Sequence, residues 1–149
     1  MEFEQLKLEN QLCFPVYAAS RLITREYQPH LDKLGITYPQ YLVLMVLWET
    51  DGISVNEVTQ KLLLNTNTVT PLLKRMESQG IITRQRSEND ERKVIVKLTH
   101  EGKQLQTAAA SIPEKLVSGL ISEKMNLEDL KKLKDQLYIL ITYLSNVPD

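Results

Sequence analysis

One thiol is available to this chain: Cys13, within the apolar run Leu12-Cys13-Phe14. As a thiolate it would be a nucleophile for peroxides and disulfides. With no second cysteine it cannot form an intramolecular disulfide, which points to a reducing, cytoplasmic setting. Against reactivity stands the commoner use of a lone cysteine on an apolar helix, as a small inert packing residue. The two histidines, His30 and His100, are far apart and lack metal-ligand spacing. The sequence holds no nucleophile elbow, no phosphate-cradling glycine loop and no helical His-Glu pair. Its five glycines, Gly35, Gly52, Gly80, Gly102 and Gly119, are scattered. Isolated carboxylates are most simply solvation of charged faces. No cofactor is implied, and an enzyme has nothing in its favour.

A second group of residues has chemistry of a different kind. The chain carries a formal charge of −1, which alone argues against a general nucleic-acid binder. Between Lys61 and Lys97, however, eight basic residues (Lys61, Lys74, Arg75, Arg84, Arg86, Arg92, Lys93, Lys97) face four acidic ones (Glu77, Glu88, Asp90, Glu91). That stretch is +4 and the remainder −5. A basic lobe on an acidic body is the electrostatic footprint of DNA binding; the bland reading is a charged hairpin that keeps an edge strand soluble.

The elements that must position these groups follow from local pattern. Asn65 or Thr66 opens a helix that runs to Gln79, taking Pro71 near its first turns; the alternative, Thr70 as N-cap with Pro71 at the first helical position, leaves a stub under three turns. Gly80 suits the left-handed position after a helix. Two β-branched arms, Ile81 to Arg86 and Arg92 to Leu98, flank the polar Ser87-Glu88-Asn89-Asp90 cluster and read as a hairpin. Helix, glycine and twisted ribbon make a winged helix-turn-helix.

Upstream, Leu6 to about Gln28 has helical periodicity. Pro15 should kink that helix or delay its start, and Pro29 should break or bend it before His30–Leu34. Thr37 caps a helix from Tyr38 to Thr50, apolar nearly all round and therefore the domain centre. Ser54 caps Val55 to Leu63, with Glu57 completing a capping box. Downstream, Thr99 opens a helix bent or broken near Pro113. Asn126 caps a last helix with Asp129 closing a loose box, an apolar stripe from Leu127 to Leu144, and termination at Val147-Pro148.

The chain therefore reads as one mostly α domain with a small β-hairpin wing: residues 37–99 form the winged helix, the hairpin spans about 81–98, and 6–34 with 100–146 are dimerisation helices. Apolar content of 42% and charged content of 25% are those of an ordinary soluble protein. No apolar run nears the ~20 residues of a membrane span, and the acidic start Met1-Glu2-Phe3-Glu4-Gln5 is not a signal peptide.

In its order of elements the chain resembles the MarR family of dimeric winged-helix repressors. The wing carries the family's Asp-x-Arg as Asp90-Glu91-Arg92, followed by Leu98-Thr99-x-x-Gly102. Leu8 to Phe14, Tyr17-Ala18-Ala19-Ser20 and Ile36 to Tyr41 are similar to OhrR-type organic hydroperoxide sensors and their SarZ- and AbfR-like relatives. The resemblance covers Leu6 to Leu144. It implies that Cys13 is the peroxide-reactive residue, hydrogen-bonded by two tyrosines of the dimer mate that match Tyr27 and Tyr38, with Tyr17 one helical turn beyond Cys13 near the same pocket. Three features depart from the pattern: Pro15 two residues after the cysteine, Asn65-Thr66-Asn67 at the start of the recognition helix, and the lack of a resolving cysteine, Ser118 included.

The resulting expectation is a repressor of double-stranded DNA with inverted-repeat symmetry. Thr66, Asn67, Thr68, Thr70, Lys74 and Arg75 would enter the major groove. Arg86 belongs to the wing's basic arm, Asp90 would orient Arg92, and Arg92 would enter the minor groove. Organic hydroperoxide or a related oxidant would release the protein, the sulfenic acid persisting, over-oxidising or being capped by a low-molecular-weight thiol. The alternatives are a repressor responding to a small apolar or phenolic ligand, with Cys13 structural, and a wing used for protein contacts.

Overall fold

Four side-chain caps set the frame of the molecule. In the computed structural model, which describes residues 3–147, Thr37 accepts from the Gln40 amide and Gln40 returns a hydrogen bond acceptor to the Thr37 N–H, starting α2 (Tyr38–Glu49). Ser54 and Glu57 do the same for α3 (Val55–Leu62). Asn65 caps the Thr68 amide and starts α4 (Thr66–Ser78), settling the choice against Thr70. Asn126 and Asp129 box the start of α7 (Leu127–Ser145). Each satisfies amide groups that the first helical turn leaves unpaired.

The N-terminal helix starts late, the delay expected of Pro15, and runs on past Pro29. Instead of starting near Leu6, the chain makes two 3-10 turns, Glu4–Leu6 and Leu8–Asn10, before α1 (Cys13–Asp32). The start thus places Pro15 in the first turn, where its missing N–H costs nothing. Pro29 does not break the helix: α1 continues past it to Asp32. Only the Arg25 carbonyl loses its donor, one turn from the end, and Leu31 beyond it is fully buried.

The wing is more than a hairpin. β2 (Ile82–Arg86) and β3 (Val94–Leu98) pair antiparallel with Arg84 opposite Val96, and a two-residue strand β1 (Ile53–Ser54) pairs with the other side of β3. The order β1-β3-β2 leaves β2 as an outer strand. β1 was not anticipated, because two residues carry no periodicity. Its neighbour Asp51 extends the attachment, accepting the Leu98 N–H at 2.8 Å.

Beneath the wing, α2 is buried on most sides as expected: Val43, Leu44 and Leu47 meet no solvent to speak of. Val58 of α3, Val69, Leu73 and Met76 of α4, and Val96 of β3 are equally enclosed. The start of α2 is tied to the end of α4 by Gln40 Nε2 donating to Gln79 Oε1. After β3, Thr99 caps α5 (His100–Ala109). The chain then starts a new helix, α6 (Ile112–Leu120), with Pro113 in its first turn; this is a break and not a bend.

The chain groups into one unit over Met1–Ala110 and a second over Ser111–Asp149, a different division from the flanking-helix scheme. In the second unit α7 has no buried residue, and Leu127, Leu133, Leu140, Ile141 and Leu144 of its stripe are exposed. The expected stop at Pro148 and the acidic start at Met1-Glu2 fall outside the described residues. Among those described, no helix is long and apolar enough to cross a membrane.

Candidate nucleic-acid interface and thiol site

The buried positions of α4, Val69, Leu72, Leu73 and Met76, turn its other face outward. Thr66, Asn67, Thr68, Lys74 and Arg75 are exposed there, and Thr70 is half-buried. The Thr68 hydroxyl is partly engaged, donating to Asn65 Oδ1 at 3.1 Å. Pro71 lies within this helix, on the exposed side.

At the wing tip, Asp90 folds over the base of Arg92. Its Oδ1 and Oδ2 accept from Nε and Nη2 of the guanidinium at 3.1 and 3.3 Å, yet the Arg92 side chain remains 91% exposed. Those hydrogen bonds, with the backbone N–H of Arg92, hold the Asp90 carboxyl below the usual carboxylate range. Arg86 braces the turn from the other arm, donating from Nη1 to the Glu91 carbonyl at 2.8 Å.

Between the starts of α3 and α4 and the wing lies a cleft of about 590 Å³, lined by Asn56, Glu57, Thr66, Thr70, Arg84, Arg92 and Lys93 among others. Glu57 supplies its one carboxylate, held below its ordinary value first by the Ser54 hydrogen bonds and then by Lys93 and Lys61. Sequence reasoning brought Thr66, Thr70 and Arg92 to this interface but missed Arg84, Lys93 and Asn56. Their basic or polar character was visible, but their convergence depends on β1 and the wing register.

The Leu98-Thr99-x-x-Gly102 motif has a mechanical meaning. The Thr99 hydroxyl donates to the Gly80 carbonyl and also caps the Gly102 amide, while the Thr99 N–H donates to the Ile81 carbonyl. A Cβ at Gly102 would lie 2.1 Å from that Ile81 oxygen, so only glycine lets α5 approach the joint between α4 and β2. The Gly102 carbonyl in turn accepts from Trp48 Nε1 at 2.9 Å.

The thiol site is divided. Cys13 is the first residue of α1 and is exposed. Tyr17, four residues on, is exposed and sits under Arg21, whose Cζ lies 5.4 Å from the ring centroid. Tyr27 and Tyr38 lie together with ring centroids 4.9 Å apart, and Tyr41, unremarked in the sequence, adds a third ring 5.8 Å from Tyr27. Burial first, then the neighbouring Tyr38 and Tyr41, push the Tyr27 phenol up to about 12. Burial also raises Tyr38 and Tyr41. All three therefore stay protonated donors at neutral pH. Because α1 is unbroken from Cys13 to Asp32, Tyr27 lies ~21 Å along the axis from Cys13, and no sharp bend brings them together. Among the described residues, no three metal-binding side chains cluster.

Capped helix pair, exposed second helix and three-stranded wing define a winged helix-turn-helix, the class built to present one helix and one ribbon to a duplex. A family model described as transcriptional regulator SarA/Rot matches residues 25–108. The organic hydroperoxide resistance transcriptional regulator of Bacillus subtilis (strain 168) is 52% identical over 143 residues, covering 96% of this chain and 95% of that protein. Among solved structures, reduced AbfR bound to DNA is 37% identical with a TM-score of 0.77, covering 98% of this chain and all of that one. Overoxidized AbfR bound to DNA is 38% identical with a TM-score of 0.75, covering 97% and 99%; AbfR is a protein of Staphylococcus epidermidis. The chain belongs to the SarA/Rot family of transcriptional regulators.

Proposed function

We propose that this regulator is a cytoplasmic homodimer that binds a roughly palindromic DNA operator as a repressor and leaves it when Cys13 is oxidised by an organic hydroperoxide or a related oxidant. The observation that carries the DNA reading is the pair of exposed elements joined by one cleft: the polar face of α4, and Arg92, exposed at the wing tip beside Asp90. Thr66, Asn67, Thr68, Thr70, Lys74 and Arg75 approach the major groove, and Arg92 the minor groove, where a narrow A·T-rich segment concentrates negative potential. Arg86 and Asp90 hold the tip in shape.

The sensor reading rests on separation. Two adjacent phenol donors, Tyr27 and Tyr38, stand far from their own Cys13, and a two-fold partner supplies a thiol to them. The exposed apolar residues of α7, and of the N-terminal stretch (Leu6, Leu8, Leu12, Phe14, Val16), are the surface a second copy covers. A thiolate at Cys13 attacks one peroxide oxygen. The S–O bond forms, the O–O bond breaks, and the alcohol leaves with a proton, giving a sulfenic acid. A small thiol then condenses with it and expels water. The added polar bulk alters the spacing of the two reading heads.

The test is operator binding by the purified protein with and without cumene hydroperoxide, for wild type and Cys13→Ser. Wild type should lose the operator on oxidation, and Cys13→Ser should bind it and ignore the oxidant. If Cys13→Ser still dissociates on oxidation, the sensor lies elsewhere and a ligand-responsive repressor becomes the better reading.

A further inference from the structure

We infer that Glu77 is a positioning residue that sets the angle between the recognition helix and the wing, and thereby the reach of Arg92; the inference rests on the DNA-binding reading above. Glu77 is the next-to-last residue of α4. Both its carboxylate oxygens serve one residue of the wing: Oε2 accepts the backbone N–H of Arg84 at 3.0 Å, and Oε1 accepts from Arg84 Nη2 at 3.2 Å. β2 is an outer strand, so this N–H points away from β3 and would otherwise face water. Arg84 Nε is buried without a hydrogen-bond partner, so among the described residues Glu77 alone holds the guanidinium.

The location is poor for helix stability. A carboxylate in the last turn sits at the negative end of the helix dipole. Its gain is made across the joint instead. Between Glu77 and Arg84 the chain turns through Gly80 at φ +75°, a residue whose backbone is the freest available. The Glu77–Arg84 clasp removes that freedom at the foot of the ribbon. From Arg84 to Ser87, where the wing turn opens, the ribbon extends ~10 Å, at ~3.3 Å per residue. A swing of about 20° at the foot, taken as an illustration, moves the turn by ~3.4 Å, the rise between successive base pairs. An arginine seated in a minor groove does not tolerate that displacement.

The proposal makes a prediction opposite in sign to simple electrostatics. Removing a negative charge from a DNA-facing lobe should tighten binding. Loss of the clasp should weaken it, and only through Arg92. The experiment measures operator affinity for Glu77→Ala, Glu77→Gln, Arg92→Ala and Glu77→Ala with Arg92→Ala, alongside amide hydrogen exchange of the free proteins. Glu77→Ala should bind about fivefold more weakly, and Glu77→Gln, which keeps an oxygen acceptor for the Arg84 N–H, should recover most of that loss. In the Arg92→Ala background the Glu77 substitution should cost nothing further, a coupling between residues that do not touch. The Arg84 amide should exchange at least tenfold faster in Glu77→Ala while the urea midpoint stays unchanged. If Glu77→Ala lowers the midpoint, recovery of affinity by Glu77→Gln at a wild-type midpoint supports the clasp, and no recovery overturns it. Equal or tighter binding by Glu77→Ala, or an undiminished loss in the Arg92→Ala background, overturns the clasp. Failure of the wild type to bind any DNA would strike the reading it rests on; the exchange measurement would still decide the clasp, since an unprotected Arg84 amide in the wild type refutes it.

Discussion

Asp90 Oδ1 accepts two hydrogen bonds from Arg92, from the backbone N–H and from the guanidinium Nε, both at 3.1 Å. The carboxylate is the less exposed partner, so the charge that reaches solvent is the arginine's. Arg92→Ala should therefore reduce operator affinity at least tenfold with the fold intact by circular dichroism. Asp90→Ala should cost less, because it loosens the arginine without removing it. Wild-type affinity in Arg92→Ala would take the wing out of DNA recognition.

A 19-residue helix with no buried residue needs a client. Sedimentation should give twice the chain mass at micromolar concentration. Leu133→Asp with Leu137→Asp should give aggregated or unfolded protein if, as proposed, the charges replace an apolar stripe that a second copy covers. A well-folded monomer from this variant would refute an obligate dimer.

If Tyr27 and Tyr38 donate to a partner's thiol, their hydroxyls matter for rate and not for DNA affinity. Tyr27→Phe and Tyr38→Phe should bind the operator like wild type but release it several-fold more slowly after cumene hydroperoxide is added. Mass spectrometry should find oxidised Cys13 as a small-thiol adduct when that thiol is present. The mixed disulfide and the over-oxidised sulfur differ in bulk and charge, so each needs its own binding assay. Unchanged release rates would remove the tyrosines from the sensor.

The tyrosine cluster also predicts an alkaline transition. Burial pushes the Tyr27 phenol up to about 12 in the folded chain, from an ordinary value of 10.0. The unfolded state therefore loses its proton first as pH rises. Stability from this group is complete below pH 10 and lost between pH 10 and 12. The urea midpoint should fall across that window, and Tyr27→Phe should flatten the fall. An unaltered slope would contradict the burial assigned to the phenol.

Two glycines predict opposite signs. Gly102→Ala would force a Cβ to 2.1 Å from a backbone oxygen and should cost about 2–4 kcal/mol in urea unfolding. A Cβ at Gly119, in α6, meets nothing within 4 Å. Gly119→Ala should be neutral or stabilise by about 0.5–1 kcal/mol, because alanine loses less backbone entropy in a helix. A mild Gly102→Ala would mean that the α5 joint is slack.

What was legible beforehand is what short-range chemistry decides. Thr37, Ser54, Asn65 and Asn126 each act within three residues of themselves, and all four caps could be read from the sequence. The wing hairpin and its Asp90–Arg92 pair are equally local. β1 was hidden, because Ile53 meets Val96, 43 positions further along the chain, and two residues have no pattern of their own. So were Glu77–Arg84 and Trp48–Gly102, whose partners are chosen by the path of the chain. Pro29 misled for the converse reason: propensity argues for a break, whereas burial of Leu31 two residues later favours carrying the helix on.

Pro71 has a consequence for hydration. It has no N–H to offer the carbonyl four residues back, so the Asn67 oxygen, on the exposed side of α4, lacks its helical donor. In a protein–DNA interface such an oxygen takes water or a base amino group. Seated in a groove as proposed, α4 would bring to the duplex one acceptor that belongs to the main chain. Substituting the side chain of Asn67 cannot erase it; substituting Pro71 can.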